Sequence, residues 1–211
     1  MAANNLTDRL FDDADRAPID PFSVFEDWFA EAQLKEPNDP HAMALASVDA
    51  DGVPDVRMVL LNARDHRGFC FFTNFESDKG TQLLADPNAA FVMHWKSLRR
   101  QVRVRGAVEV VADGEADAYF SSRSRASQIG AHASKQSRPL ANRYALLERV
   151  ETLNKSFRVD EPVNRPAHWS GFRVIPKTIE FWKDGANRLH DRVRFTRQLP
   201  NGDWGRQRLY P

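Results

Sequence analysis

The sequence contains a single cysteine, Cys70, and no apolar run long enough to cross a membrane. One cysteine excludes an intrachain disulfide and a metal site built from several thiolates. A run of about 18 apolar residues is missing, as is a basic and then apolar N-terminal pattern, so neither a transmembrane helix nor a signal peptide is predicted. We therefore expect a soluble, cytoplasmic protein, with Cys70 buried among its phenylalanine neighbours.

The chain also lacks an excess of either charge. It has 30 basic and 29 acidic residues, for a formal net charge of +1. Nothing global therefore attracts nucleic acid or an anionic membrane, and any anion site must be built locally. The histidines are scattered without HxxxH or HxH spacing, so no metal site is predicted. Nucleophile-elbow, Rossmann and P-loop signatures are absent as well.

What is present is a series of short β-type runs joined by turns. The polar, acid-rich residues 1–19 show no clear period and are predicted to form a mobile arm ahead of a single domain at residues 20–211. Asp20-Pro21 predicts the start of an amphipathic helix that stops before Pro37. Strands are predicted at 42–48, 56–61, 69–73, 89–95, 101–111, 171–175, 178–182, 192–196 and 205–209, and further helices at 77–85, 114–121 and 140–157. This order indicates an α+β fold, one antiparallel barrel decorated with helices.

Two strands have unusual faces. After Arg57 the apolar residues fall on both sides of the strand, in the order Met58, Val59, Leu60 and Leu61. Such a strand is covered on both sides, and a partner subunit is the simplest second cover. In the later strand, Gln101, Arg103 and Arg105 share one face, which is either solvated or a basic wall that borders a ligand between subunits.

A hairpin is predicted where the runs at 178–182 and 192–196 flank Asp184-Gly185. Its second arm concentrates charge within seven positions, at Arg188, His190, Asp191, Arg192 and Arg194. Alternation places the apolar residues of this arm on one face and its arginines on the other. The arm is therefore either a solvated edge strand or part of an anion pocket beside a histidine that titrates near neutral pH.

Four polar clusters, one of them Arg57 itself, suggest phosphate binding. The segment 73–80 runs from a strand into a helix, whose unpaired N-terminal amides favour an anion, and Lys79 adds charge there. The segments 119–128 and 135–138 are rich in hydroxyl and basic side chains. Each segment alone is also typical of a surface loop, but together they predict phosphate sites in a chain that is nearly neutral.

Eight short motifs, taken in order, resemble the pyridoxamine 5'-phosphate oxidase family. They lie at 57–61, 72–74, 100–102, 127–130, 136–137, 180–182, 188–192 and 208–211. The resemblance runs from about Asp20 to the C-terminus. It implies an FMN-binding split β-barrel, antiparallel and of Greek-key type, that works as a homodimer with the flavin at the subunit interface. In that arrangement the partner would cover the strand with two apolar faces.

The resemblance also implies residue roles. The FMN contacts would be Arg57, Met58, Val59, Leu60, Leu61, Phe72, Thr73, Lys79, Gln101, Gln136, Ser137, Trp182 and Arg192. The substrate contacts would be Asp39, Asn62, Tyr119, Arg123, Ser127, Arg188, Leu189 and His190. Of these, Arg188 would clamp the substrate and His190 would orient it or relay a proton, so both are the predicted catalytic residues.

The implied reaction is oxidation of pyridoxamine or pyridoxine 5'-phosphate at C4', with hydride transfer to flavin N5 and reoxidation by O₂ to give hydrogen peroxide.

The sequence departs from the family at two site positions. Asn62 stands where the family usually has a lysine that reaches the substrate phosphate, and Asp78 stands where it commonly has an arginine near the FMN phosphate. Asp78 is predicted to point outward from a first helical turn. The short N-terminal arm is a third departure.

Two alternatives stay open. One is a flavin oxidase of the same fold that acts on a phenazine precursor, and the other is a non-catalytic carrier of FMN or pyridoxal phosphate. The retained Tyr119, Arg123, Ser127, Arg188 and His190 favour the vitamin B6 substrate.

Overall fold

A computed structural model describes residues 6–12, 14, 17–158, 161–198 and 202–211. The helices are α1 (Leu6–Phe11), α2 (Pro21–Lys35), α3 (Asp78–Ala85), α4 (Asp113–Ser122), α5 (Arg125–Ala133) and α6 (Arg143–Ser156), with a 3₁₀ turn at Ala186–Arg188. The strands are β1 (Ala42–Val48), β2 (Pro54–Leu60), β3 (Ala63–Asp65), β4 (Gly68–Asn74), β5 (Asn88–Trp95), β6 (Arg100–Val110), β7 (Trp169–Lys183), β8 (Asp191–Thr196) and β9 (Gly205–Arg208).

All of these strands belong to one antiparallel sheet in the order β2-β1-β5-β6-β7-β4-β3, with β8 paired to β7 and β9 paired to β8. The sheet curls into a half-barrel around β7, the longest strand. Residues 169–174 of β7 pair with β4, whereas residues 178–183 pair with β8. The predicted α+β barrel class and the predicted hairpin of residues 178–196 are confirmed.

The strands predicted at 171–175 and 178–182 form one strand rather than two. Gly106 pairs with Pro176 while Arg105 pairs with Thr178, so Lys177 is the extra residue of a β-bulge. A Cβ on Gly106 would lie 1.9 Å from the carbonyl oxygen of Ile175, which only glycine avoids. The sequence suggested a break here because proline rarely occurs inside a strand, and the bulge accommodates it.

Helix α1 lies in the arm that was predicted to be mobile. Its Leu10 is buried, Trp28 Nε1 donates to Thr7 Oγ1 at 2.9 Å, and Arg208 donates to the carbonyl oxygen of Phe11. A six-residue helix is held by tertiary contacts of this kind rather than by a readable period. Mobility of the arm stays a prediction, and residues 1–5, 13, 15 and 16 lie outside the described residues.

Helix α2 supplies much of the core. Asp20 caps it, accepting from Ser23 N at 3.1 Å, as the sequence predicted. Its buried aromatic side chains then pack against the inner face of the sheet. Phe25 meets Phe69 edge-on at 4.8 Å between ring centroids, and Trp28 meets Phe181 at 5.1 Å. Aromatic pairs in this geometry add to the stabilisation from apolar burial, so α2 is held against the inner face of the sheet.

Cys70 is buried, as predicted, and burial raises the pKa of its thiol. A thiol in that state is a poor nucleophile. Across the described residues, no helix combines the length and the apolar character needed to cross a membrane, and no three His, Cys, Asp or Glu side chains cluster as metal ligands.

Candidate active site

A cavity of about 490 Å³ lies between β2, β4 and the helices α4 and α5. Eleven of the residues predicted for the site line it, namely Met58, Val59, Leu60, Asn62, Phe72, Thr73, Lys79, Tyr119, Arg123, Ser127 and Gln136. The remaining lining residues were not predicted, and they are Asn74, Gly130, Ala131, Ser134 and Trp169. Residues from five separate stretches of the chain thus converge on one concave site, which we call the helix-side cavity.

One wall of this cavity is a stack of aromatic rings. Phe72 stacks on Tyr119 at 4.1 Å and on Trp169 at 5.4 Å between centroids, with the rings nearly parallel. Helix α4 brings Tyr119 to this wall, and the first residue of β7 brings Trp169. Nothing in the sequence marks Trp169 beyond its apolar character, because its place in the cavity depends on how β7 pairs with β4.

Arg123 carries a positive charge into this aromatic wall. Its guanidinium lies 4.8 Å from the centroid of the Trp169 ring, and among the described residues its buried Nη1 has no hydrogen-bond partner. Burial lowers the pKa of Arg123, and only Tyr119 partly opposes that shift. A cation held half-buried among aromatic rings without a carboxylate is costly unless something else supplies the negative charge. The arrangement therefore suits an anionic ligand.

Asn62 holds the hydroxyl of that wall in place. Its Nδ2 donates to Tyr119 Oη at 2.5 Å, and its Oδ1 accepts from Phe72 N at 3.2 Å. Asn62 thus contributes position and no charge. Ser127 lies nearby in the first turn of α5, with its Oγ 2.8 Å from Ser124 Oγ.

A second cation, Lys79, lies at the other end of the helix-side cavity. It is almost fully buried in the first turn of α3, and its Nζ donates to Gln136 Oε1 at 2.9 Å and to Ser77 Oγ at 3.3 Å. Thr73 Oγ1 donates to the same Gln136 oxygen at 3.2 Å. Burial lowers the pKa of Lys79, and the charge of Arg57 lowers it further. Both direct partners of the ammonium are neutral, so it too can accept an anion.

Asp78 points away from the cavity, as predicted. Its exposed carboxylate accepts from Arg138 Nη2 at 3.0 Å, and its backbone N–H donates to Ser137 Oγ at 3.2 Å. The pair with Arg138 balances the charge of this carboxylate, which stands where the resemblance implies an arginine. It also ties the segment carrying Gln136 and Ser137 to the start of α3.

Six of the predicted cofactor contacts do not line the cavity, and Arg57 and Leu61 are two of them; the others are Gln101, Ser137, Trp182 and Arg192. Arg57 donates to Ser47 Oγ at 2.5 Å and to Gln82 Oε1 at 3.0 Å, and it forms an ion pair with Asp55. Leu61 is a buried core residue. A role for either in holding a cofactor stays a prediction.

A second group of predicted residues meets at the β7–β8 hairpin. Gln101, Trp182 and Arg192 lie side by side across β6, β7 and β8. The Trp182 ring is 4.7 Å from the His190 ring, and Arg192 Nη2 donates to Glu180 Oε1 at 2.8 Å. The predicted face of arginines on this arm is thus real, and its opposite face is buried in the core.

His190 has two neighbours at one ring nitrogen. Its Nδ1 lies 3.0 Å from Asp184 Oδ1, and it also accepts from Gly185 N at 3.2 Å. The N–H of Gly185 needs a lone pair on Nδ1, whereas the carboxylate needs a proton there, so one tautomer of the ring cannot satisfy both contacts. Asp184 in turn pairs with Arg99. The sequence marked Asp184 only as a turn residue, because Asp-Gly is a common turn signal.

Arg188 projects from a tight loop beside this histidine. Asn187 and Arg188 both have left-handed backbone angles, with φ of 55° and 64°. A Cβ on Gly185 would lie 2.1 Å from the carbonyl oxygen of Leu189. Consecutive left-handed residues cost energy and are common at functional sites. The exposed Arg188 side chain has no hydrogen bond or ion pair within the described part of the chain.

The two groups of predicted residues do not meet within one chain. Trp169 of the helix-side cavity and Trp182 of the hairpin occupy the two ends of β7, separated by about 40 Å of strand at roughly 3.3 Å per residue. Asp39 belongs to neither group, since it is exposed in the turn before β1. One ligand would contact both groups only if a second chain brought its own hairpin to the cavity.

The chain matches two family models, one after the other along the sequence. Residues 29–156 match the one described as pyridoxamine 5'-phosphate oxidase, and residues 169–211 match the one described as pyridoxine 5'-phosphate oxidase C-terminal dimerisation region. The chain belongs to the pyridoxamine 5'-phosphate oxidase family. The predicted family is therefore confirmed.

Curated members of this family match the chain along its length. The protein of Rhizobium leguminosarum bv. trifolii is 56% identical over 211 residues, which is 100% of both chains. The protein of Brucella anthropi is 58% identical over 191 residues, or 90% of this chain and 94% of the other. Both are named pyridoxine/pyridoxamine 5'-phosphate oxidase, so the chain is an enzyme of the oxidoreductase class.

Solved structures agree on the fold. PhzG from Burkholderia lata, in complex with tetrahydrophenazine-1-carboxylic acid, gives a TM-score of 0.84 at 30% identity and covers 93% of this chain and 95% of its own. A pyridoxamine 5'-phosphate oxidase-related, FMN binding protein from Nostoc punctiforme gives a TM-score of 0.72 at 16% identity over 92% of this chain and 98% of its own. The split-barrel fold implied by the sequence motifs is confirmed.

Proposed function

We propose that the protein oxidises pyridoxamine 5'-phosphate and pyridoxine 5'-phosphate to pyridoxal 5'-phosphate, with FMN as cofactor and O₂ as acceptor. The observation that carries this proposal is the unpartnered Nη1 of Arg123 against a wall of stacked aromatic rings. A phosphate would supply the missing negative charge, and a pyridine ring would lie against apolar and aromatic surface.

The residues around Lys79 fit the phosphate of FMN. The Lys79 ammonium has only neutral hydrogen-bond partners, and the N-terminus of α3 directs its partial positive charge to the same place. Gln136 and Ser137 would add polar contacts, and Thr73 stands beside them. When bound, FMN supplies the two-electron chemistry, taking hydride from C4' and passing the electrons to O₂.

We propose that the active enzyme is a homodimer in which the hairpin of one chain completes the helix-side cavity of the other. Strand β2 exposes an apolar row, with Val56 at 65%, Met58 at 63% and Leu60 at 51% of their full accessibility. Apolar rows of this kind mark interfaces. Met58 and Leu60 also line the cavity, so a partner that covers β2 would close its mouth. The matched dimerisation region contains the hairpin.

In this arrangement each group of side chains would contact a different part of the substrate. Tyr119, Arg123 and Ser127 would hold the substrate phosphate, with Asn62 fixing the tyrosine hydroxyl. Arg188 of the partner chain would cover the pyridine ring.

His190 of the partner chain would accept or return a proton at its Nε2. The Asp184 carboxylate and the Gly185 N–H would fix the other nitrogen. Gln101, Trp182 and Arg192 form the surface that would lie along the flavin.

The overall chemistry balances for both substrates. Pyridoxine 5'-phosphate and O₂ give pyridoxal 5'-phosphate and H₂O₂, because two electrons and two protons leave the C4' alcohol. The amine substrate first loses the same two electrons, and one water then replaces its nitrogen, so that ammonia is released as well. Closure by a partner would limit the access of bulk water during hydride transfer.

The test is a spectrum of the purified protein followed by a peroxide assay. We expect bound flavin, and we expect equimolar H₂O₂ and pyridoxal 5'-phosphate when pyridoxine 5'-phosphate is added in air. Bound flavin without peroxide would indicate a carrier instead. Turnover of tetrahydrophenazine-1-carboxylic acid and none of the phosphorylated substrate would indicate a phenazine-type oxidase.

A further inference from the structure

A second cavity, of about 670 Å³, lies on another part of the barrel and belongs to neither group of site residues. It is bounded by the ends of β1 and β5, by the middle of β6 and β7, and by the residues that follow β8. Its size is that of a small-molecule pocket. We call it the bulge-side cavity, because the β-bulge at Lys177 forms part of its wall.

The bulge-side cavity is lined by positive charge without a carboxylate. Arg105, Lys177 and Arg197 line it, and no Asp or Glu is among the described residues of the lining. Neither Arg105 nor Lys177 forms an ion pair within the described ranges. The rest of the wall consists mostly of small apolar side chains, such as those of Ala46 and Ala90.

Arg197 is the most informative of these cations. Only 7% of it is exposed, its Nε donates to the carbonyl oxygen of Pro176 at 2.9 Å, and its guanidinium lies 4.5 Å from the Trp204 ring centroid. Its two terminal amino groups donate no hydrogen bond to any described residue. Burial lowers the pKa of Arg197, and the charge of Asp20 offsets this only in part. One edge of the guanidinium is therefore fixed by the Pro176 carbonyl, and the other edge makes no hydrogen bond to a described residue.

The backbone beside Arg197 contains the β-bulge of β7. The bulge makes Lys177 the unpaired residue of β7, and Lys177 O accepts from Arg197 N at 3.0 Å. Bulges redirect side chains and are frequent beside binding sites. Gly106, also in the lining, permits the close approach of β6 and β7 that the bulge requires.

We propose that the bulge-side cavity is a second binding site, for a small organic anion with an apolar body, such as a phosphate ester or a carboxylate. The anion would meet the free edge of Arg197, with Arg105 and Lys177 at the rim, and the apolar body would lie on the alanine-lined wall. This site is separate from the helix-side cavity, so the proposal does not depend on the proposed oxidase reaction.

The experiment is a calorimetric titration of the flavin-loaded protein with two probes, 1-naphthyl phosphate and 1-naphthoate. We expect a saturable site that survives Arg123→Met, and the tighter of the two probes identifies the preferred anion. The double variant Arg105→Gln/Lys177→Gln should weaken that site about tenfold, since each rim charge contributes a few-fold. Ala107→Trp, which fills the cavity from an exposed lining position, should abolish it.

The matched control is Arg103→Gln/Lys183→Gln, which removes the same two charges from the same two strands outside the cavity lining. Its affinity for the probes should stay within twofold of the unaltered protein. The double variant decides the question, because both of its positions are exposed and folding should be kept. The proposal is overturned if that variant binds as tightly as the unaltered protein, or if Arg123→Met removes all saturable binding.

Discussion

Two arginines of this chain, the buried Arg173 and the half-buried Arg123, show opposite electrostatics. Arg173 donates to Glu109 Oε1 and to Glu115 Oε2, each at 2.7 Å, and its pKa is raised, with burial opposing the two carboxylates. Arg123 has aromatic rings in place of carboxylates, and its pKa is lowered. A buried cation whose counter-charge is part of the fold cannot be removed without leaving carboxylates unpaired, so its removal costs stability. A desolvated cation without such a counter-charge lowers the stability of the free protein, and binding of an anion restores that stability.

The largest expected effect is on Arg123. We expect Arg123→Met to lower kcat/KM for pyridoxine 5'-phosphate about a thousandfold, roughly 4 kcal/mol, because a desolvated charge contact to phosphate is lost. Its melting temperature should not fall, since no carboxylate is left unpaired. Arg125→Met is the control, because within the described residues Arg125 donates only to the backbone carbonyls of Phe157, Arg158 and Glu161. It should lose stability and keep kcat/KM.

Arg173→Met should produce the reverse result. We expect it to lower the free energy of unfolding by about 3 kcal/mol, because two carboxylates lose their partner in a partly buried place. The kcat/KM of the folded fraction should stay within about twofold. Urea denaturation and initial rates on the same preparation measure both quantities. A variant as stable as the original protein would contradict the structural role given to Arg173.

Lys79→Met extends the comparison to the second cation that has only neutral partners. We expect the dissociation constant for FMN to rise about 30-fold, or 2 kcal/mol, through loss of a charge-assisted contact to phosphate. The apoprotein should be as stable as before or slightly more stable, because an ammonium with neutral partners has been removed. Flavin fluorescence titration gives the affinity, and a clear fall in apoprotein stability would count against the proposal.

A smaller effect concerns the pH dependence of the paired cluster. Arg173 and then Arg67 hold the pKa of Glu115 below its ordinary value of 4.5. A carboxyl with a depressed pKa stabilises the fold above its unfolded pKa and loses that contribution as pH falls through its folded pKa. Glu115→Gln should therefore be less stable than the original protein at pH 7. The difference should shrink as the pH falls below about 4.5, as urea titrations over that range would show.

Much of the fold was predictable because its signals are local. Alternation and turn residues placed most strands within one or two residues, and Asp20-Pro21 fixed the start of α2. Helix α5 was missed because its hydroxyl-rich and basic sequence is typical of a surface loop. The continuity of β7 was missed because a bulge, visible only in the pairing with β6, carries Pro176 through the strand.

The site was predictable as a set of motifs and not as a geometry. Eleven of the residues chosen from the motifs lie in one cavity of the structure. No local pattern showed that the hairpin residues lie at the other end of β7. The roles of Trp169 and Asp184 depend on tertiary pairing, as does the missing counter-charge at Arg123. Sequence patterns show which charged and polar groups are present. How far each of these groups is buried or paired depends on the residues that the fold packs around it.

The most direct test of the shared site mixes two inactive variants. Arg123→Met damages the cavity and Arg188→Ala damages the hairpin, so each homodimer should be nearly inactive. Refolding an equal mixture should make half of the dimers hybrid, and each hybrid would hold one intact site. We predict about a quarter of the original activity in the mixture. Activity no greater than the mean of the two separate variants would contradict a site built from two chains.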